Sequence, residues 1–147
     1  MHYTVMKEES INGLNLKEDG VYVDCTLGYG GHTKEMLKCL EGQGHIYGLD
    51  VDPIESAKTK ERLASQGFGE EILTVKLINF ANIDQVAEEA GKKFDFLLAD
   101  LGVSSMQIDN PERGFTYKFE GPLDLRLNPL KGISAAERLR DIDQEEL

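Results

Sequence analysis

Val21-Tyr22-Val23-Asp24-Cys25-Thr26-Leu27-Gly28-Tyr29-Gly30-Gly31-His32 decides the fold: an apolar run enters a glycine-rich turn and a helical pattern leaves it. Glycines remove Cβ atoms where the backbone bends sharply and approaches a ligand closely, and the helix that follows offers unpaired N–H groups at its start. A strand, a glycine turn and a helix in that order make a ligand-binding crossover.

Outward from this turn the alternation repeats. The spacing predicts a helix over residues 33–40, with Met36, Leu37 and Leu40 on one face and Gly42 as its stop. Residues 45–50 read as a second strand. Asp52-Pro53-Ile54-Glu55 then supplies an N-cap, a proline in the first helical position and an acid placed for a capping box, opening a helix to about Leu63 that closes near Gly67. Residues 73–78 are a third apolar run. Asn82 is placed to cap a short helix with Ile83, Val86, Ala87 and Ala90 on its buried side, and residues 94–101 form the fourth and most hydrophobic run.

Four strands alternating with three helices imply an α/β fold, a doubly wound parallel sheet with right-handed crossovers. Ligands of such sheets sit beyond the carboxyl ends of the strands, which directs attention to Asp24 with its glycine turn, Asp50, Asn79-Phe80 and Asp100. After Asp100 the alternation stops. Residues 101–128 carry Gly102, Pro111, Gly114, Gly121 and Pro122 with little helical period, and Phe115, Tyr117 and Phe119 favour a functional loop over a disordered one. Ser134-Ala135-Ala136-Glu137 is a second capping-box signature, opening a helix with apolar Leu139.

Composition narrows the class. At 147 residues, 40% hydrophobic and 29% charged, the chain has the size and balance of one soluble globular domain. A net charge of −11, from 27 acidic against 16 basic side chains, disfavours non-specific binding to phosphate backbones and leaves open a nucleic-acid enzyme that works through a local patch. Cys25 and Cys39 have no CxxC spacing and read as two reduced structural thiols, with no metal implied. No apolar run approaches the roughly 20 residues of a membrane span, and the N-terminus is charged where a signal peptide is apolar, so a cytoplasmic location is expected.

Individual residues have competing readings. Gly28-x-Gly30-x-x-Thr33 matches the dinucleotide fingerprint only in part, since Thr33 stands where glycine or alanine lets helix and strand pack. Asp50 lies about twenty residues beyond the glycines, the interval at which a carboxylate reaches ribose hydroxyls; because Asp52 already serves as the helix cap, the ribose reading is preferred. Asp100 closes an apolar strand where an unpaired charge is costly to bury, so it reaches a ligand or accepts backbone hydrogen bonds from residues 102–105. Phe80 is ordinary core or a flat surface against a base at the pocket rim. His32 can line the glycine pocket, whereas His2 and His45 read as surface or strand-edge residues; the three histidines make no catalytic triad or metal cluster.

Taken in order, Asp24-Cys-Thr-Leu-Gly-Tyr-Gly-Gly-His-Thr33, Leu49-Asp50-Val-Asp52-Pro53, Asp100-Leu-Gly-Val-Ser-Ser-Met-Gln107, Glu112-Arg-Gly-Phe115, Gly121-Pro-Leu-Asp-Leu-Arg126 and Ser134-Ala-Ala-Glu137 closely resemble the bacterial 16S rRNA cytosine-N4 methyltransferases. The resemblance covers essentially the whole chain, from His2-Tyr-Thr-Val5 onward. It implies a class I, Rossmann-like, S-adenosylmethionine-dependent methyltransferase acting on a cytidine of the small-subunit decoding region. Carried over by position, it implies cofactor contacts at Gly30, Gly31, His32, Asp50, Phe80, Asp100 and Gln107. The family has proline where this chain has Met106, and glycine or alanine where it has Cys25.

The same resemblance implies that residues 1–122 form a partial cofactor-binding domain and residues 123–147 the start of a helical insertion, so that the chain corresponds to the N-terminal half of family members. Its fourth strand is then an exposed edge, through which self-association is expected. Methyl transfer from a sulfonium is an in-line displacement with a neutral leaving group, so positioning supplies most of the catalysis. A hydrogen-bond acceptor near residues 100–105 is needed to hold the conjugated cytosine amine, and Asp100 is the catalytic candidate; the target base must be unstacked or single-stranded. Three readings follow: an rRNA methyltransferase using S-adenosylmethionine, a truncated non-catalytic cofactor-binding or interaction remnant of that family, and an NAD-dependent oxidoreductase, against which Thr33 and the 100–107 motif argue.

Overall fold

Successive residues of a strand face opposite sides of its sheet, and here that alternation builds a core on each face. The computed structural model describes residues 4–40 and 44–146; the expected helix stop Gly42, His2 and Leu147 lie outside the described residues. The first strand, β1 (Val21–Asp24), is buried along its whole length. Tyr22 joins Ile46, Met36, Leu37, Leu63 and Leu73 in one apolar cluster. Val23 joins Leu49, Val86 and Cys25 in the other.

Four parallel strands form one sheet in the order β3-β2-β1-β4, with β2 at His45–Asp50, β3 at Leu73–Leu77 and β4 at Phe96–Leu98. Helices α2 (Gly31–Cys39) and α3 (Pro53–Ser65) supply Met36, Leu37 and Leu63 to the first cluster, and α4 (Ile83–Ala90) supplies Val86 to the second. Helices on both faces make the sheet doubly wound, as expected. The chain moves outward from β1 through β2 to β3 and then returns to the other side of β1 for β4, which puts the reversal of strand order between β1 and β4.

Several local expectations are corrected. An N-terminal helix, α1 (Lys7–Leu14), precedes the sheet; it has little apolar period, and only Leu14 is fully buried. Asn82 makes no side-chain cap. Asn79 instead accepts a hydrogen bond from the Ala81 N–H at 2.9 Å and opens a 3-10 turn, Phe80–Asn82, that leads into α4. His45 begins an interior strand, where its ring meets the Glu71 carbonyl and the Thr74 hydroxyl. The fourth strand is shorter than the apolar run in the sequence, and it is the edge that was expected, with Leu97 55% exposed.

The described residues fall into two compact units, Met1–Leu101 and Gly102–Leu147. Where the sequence showed little helical period, the second unit contains α5 (Ser105–Ile108) and a 3-10 turn, Pro111–Arg113, followed by α6 (Ala135–Asp141). Buried Arg113 donates to the Leu127 carbonyl at 2.7 Å, and Arg126 forms a two-pronged pair with Asp124 at 2.8 and 2.6 Å. The Asp124 and Leu123 carbonyls in turn accept from the Ala135 and Ala136 N–H groups at the start of α6. No helix among the described residues is long and apolar enough to cross a membrane.

Candidate functional site

The glycine turn is fastened from below by Asp24, which ends β1 almost completely buried. One of its carboxylate oxygens accepts from Thr33 Oγ1 at 2.6 Å and the other from the Thr26 N–H at 3.0 Å. Burial pushes the Asp24 carboxyl above the usual carboxylate range; the Thr33 and Thr26 hydrogen bonds and the nearby His32 work in the opposite direction, while Asp50 adds to the rise. Thr33, read from the sequence only as a departure from the dinucleotide pattern, is therefore the chief neutral partner of a buried acid. The detectable signal was a hydroxyl one helical turn into α2, directly above an acid ending the preceding strand.

Asp50 fastens the turn from the side. Its Oδ2 accepts from the Gly28 N–H at 2.6 Å and its Oδ1 from the Asp52 N–H at 2.9 Å. Asp52 caps α3 through the Ile54 and Glu55 N–H groups, as the sequence indicates, and Glu55 pairs with Lys58. Each Asp50 oxygen keeps a second lone pair, so the carboxylate is held rigid without being used up. From α3, Thr59 Oγ1 donates to the Gly28 carbonyl at 2.6 Å, and Arg62 stacks over the Tyr29 ring at 3.5 Å while donating to the Tyr29 carbonyl.

The glycines themselves differ in purpose. Gly28 has φ +47°, and a Cβ there would meet only the Thr26 carbonyl, at 3.7 Å, so its outer side is open. Gly30 has φ +72° and lies against Thr59 Cγ2, which a Cβ would approach to 2.8 Å.

Across the β1–β4 gap, the Cys25 N–H bonds the Leu98 carbonyl at 2.8 Å and the Asp100 N–H bonds Thr26 Oγ1 at 2.7 Å. The Asp100 side chain is 54% exposed beside the β4 edge, so its charge is not buried. Its Oδ2 lies 3.9 Å from Nδ1 of buried His32. The other ring nitrogen, Nε2, is buried with no hydrogen-bond partner among the described residues. Phe80 follows β3 and is 42% exposed, so it is not core.

Gly28, Gly30, Gly31, His32, Asp50 and Asp100 thus share the carboxyl ends of β1, β2 and β4, and Phe80 follows that of β3. Gln107 belongs to the second unit, where its Oε1 accepts from the Ser104 N–H at 2.9 Å and its own N–H returns the bond to Ser104 Oγ, closing a capping box on α5. Cys25 is buried and Cys39 exposed, both as free thiols, and the described residues contain no cluster of metal-ligating side chains.

Comparison with known proteins agrees with this architecture. The model of the MraW methylase family matches residues 1–147. Ribosomal RNA small subunit methyltransferase H 1 of Lachnoclostridium phytofermentans is 67% identical over 147 residues, which are 100% of this chain and 40% of that protein. The protein of the same name from Agathobacter rectalis is 65% identical over all of this chain and 42% of its own length. The chain therefore spans less than half the length of these relatives. Among solved structures, a putative rRNA-methylase from Clostridium thermocellum matches 58% of this chain and 48% of its own with TM-score 0.51 at 21% identity. A SAM-dependent O-methyltransferase from Thermotoga maritima matches 56% and 31% with TM-score 0.50 at 16% identity. At such identities the two structures speak for the fold alone.

Proposed function

Because the chain belongs to the MraW methylase family, we propose that its strand ends bind S-adenosylmethionine and that it serves methylation of a cytidine N4 amine in small-subunit rRNA. The observation that carries this reading is the sign of the charge. Asp24, Asp50 and Asp100 stand at or just beyond the ends of three strands around the glycine turn, and no lysine or arginine ends a strand. Such a site suits a cationic sulfonium and an adenosine ribose; a dinucleotide would bring two phosphates to the same carboxylates.

The residues present fit that cofactor. Gly28 leaves open space beside the turn, Asp50 keeps lone pairs for ribose hydroxyls, and buried His32 Nε2 lacks a partner. When bound, the cofactor supplies an electrophilic methyl group on sulfur. The chain's own part is positional. Asp100, exposed at the β4 edge and anchored through its N–H to Thr26, is placed to accept a hydrogen bond from the amine and turn its nitrogen toward the methyl. Gly30, Gly31, His32, Phe80 and Gln107 complete the proposed contact set, with residues 123–147 as the start of the substrate-recognition region and the cytoplasm as its place.

Calorimetric titration of the purified chain with S-adenosylmethionine tests the binding step. One site per chain, undisturbed by NAD, is expected; absence of binding, or displacement by NAD, overturns the reading. A methyl-transfer assay on small-subunit particles tests the activity. Binding without transfer would favour the second reading, a non-catalytic cofactor-binding chain.

A further inference from the structure

Phe115, Tyr117 and Phe119 take no part in the proposed cofactor site. They belong to a loop, residues 115–120, that runs between two glycines, and each glycine is set against backbone from the far end of the loop. Gly114 has φ +76°, and a Cβ there would meet the Pro122 carbonyl oxygen and lie 2.7 Å from the Asp124 nitrogen. A Cβ on Gly121 would meet the Pro111 carbonyl oxygen and lie 3.0 Å from the carbonyl carbon. Just outside the glycines, the Leu125 N–H bonds the Arg113 carbonyl at 3.1 Å, and the buried Arg113 side chain reaches the Leu127 carbonyl. With backbone packed on backbone at both feet, this is a closed, pinned loop of the kind that carries contact residues, rather than a slack connection.

At the tip, Thr116 Oγ1 accepts from the Lys118 N–H at 3.2 Å and bends the chain. Phe115, at the foot, is half-buried. Tyr117 is 94% exposed and Phe119 64% exposed, and neither ring meets another aromatic ring or a cation among the described residues. Holding two rings in water forgoes the burial each would gain in a core, so the tip is a surface built for a partner. What stands between the rings selects the partner. Exposed aliphatic side chains elsewhere in the same unit, Leu130 and Ile133 among them, suit an apolar protein surface; two rings on either side of the Lys118 ammonium suit unstacked bases and the phosphate that joins them. Glu120 beside Phe119 and the chain's net charge of −11 keep the ionic share small, so stacking carries the contact. We propose that Tyr117 and Phe119 are a stacking platform for single-stranded RNA, with Lys118 on a phosphate. The inference rests on the small-subunit rRNA reading above and adds to it the residues that grip the unpaired strand.

Fluorescence anisotropy of the purified chain with a labelled single-stranded oligocytidylate of about ten nucleotides tests the platform. Tyr117→Ala and Phe119→Ala are each expected to weaken binding about tenfold with unchanged salt dependence, and Tyr117→Phe, which keeps the ring, to bind as the wild type does. Lys118→Gln is expected to reduce the slope of log affinity against log salt by about 0.7, the loss of one phosphate contact on a single strand. An RNA duplex of the same length, whose bases are already stacked, is expected to bind about tenfold more weakly. All three positions are exposed, so circular dichroism of the variants should match the wild type. Wild-type affinity in both alanine variants, a full loss in Tyr117→Phe, or no binding of the single strand by the wild-type chain overturns the platform. Light scattering that shows the alanine variants losing self-association, with RNA binding unchanged, assigns the tip to a protein surface and overturns it as well. Calorimetry with S-adenosylmethionine separates the two readings: failure on the wild-type chain removes the cofactor reading, whereas cofactor binding without RNA binding removes the platform alone.

Discussion

Thr33→Val is the most discriminating single perturbation of this fold. Valine nearly reproduces the shape of threonine, so the fully buried site keeps its packing and loses one hydroxyl. That hydroxyl donates at 2.6 Å to Asp24 Oδ2, itself almost fully buried, and the short distance marks a charge-assisted bond. Hydrogen bonds to charged groups contribute about 1.5–3 kcal/mol, so a loss of about 2 kcal/mol is expected where Asp24 is ionised, a shift of about 1 M in the urea midpoint. The pH dependence has a definite sign. Burial raises the folded-state pKa of Asp24 above its ordinary value, so ionising Asp24 costs stability as pH rises through that raised pKa, and the Thr33 bond offsets part of the cost. Removing the bond raises the pKa further. The deficit of Thr33→Val is therefore largest where Asp24 is ionised and shrinks toward the roughly 1 kcal/mol of a neutral bond as pH falls through that raised pKa and Asp24 is protonated. Urea unfolding across a pH series from about 3 upward measures both limits. A deficit under about 0.5 kcal/mol, or one that does not change with pH, refutes the assignment of Thr33 as the partner of an ionised buried acid.

The remaining predictions concern the turn, the sheet edge and the second unit. Gly28→Ala meets open space and is expected to cost about 1 kcal/mol of backbone strain, whereas Gly30→Ala adds a 2.8 Å approach to Thr59 Cγ2 and is expected to cost about 2–3 kcal/mol; thermal melts that reverse this order count against the turn geometry. The open β4 edge, with Leu97 exposed, is expected to drive association of the chain with itself, and Leu97→Lys to suppress it; light scattering that finds only monomer at high concentration removes the proposal. Arg126 holds the Asp124 carboxyl down at about 2, below its ordinary 3.8, so the pair's contribution to the second unit is complete above 3.8 and is lost as pH falls toward 2. Asp124→Asn should flatten that acid limb, read as hydrogen exchange of the Ala135 and Ala136 amides, which the Asp124 and Leu123 carbonyls hold.

What was legible in the sequence was whatever depends on neighbours along the chain. The order of strands and helices, the Asp52 cap with Pro53 behind it and the Ser134–Glu137 capping box are local patterns with local causes, and each appears where it was read. The misreadings share an opposite origin. Helix α1 has almost no apolar period because it contributes little beyond Leu14 to the core. The sequence asked how Asp100 avoids a costly burial after the most apolar run in the chain, yet a strand's burial is set by what lies beside and across it, and among the described residues β4 has a neighbour on one side only. Glycine shows the same division within a single turn. Gly28 and Gly30 have positive φ, a cause contained in the turn itself, and their presence in the sequence announces a turn. Gly31 has no such torsional cause; the side chain that forbids its Cβ arrives from Thr4. A glycine read as room for a ligand is here room for another part of the chain, because the close packing that forbids a side chain is set by a residue 27 positions earlier, which a reading confined to the turn does not reach.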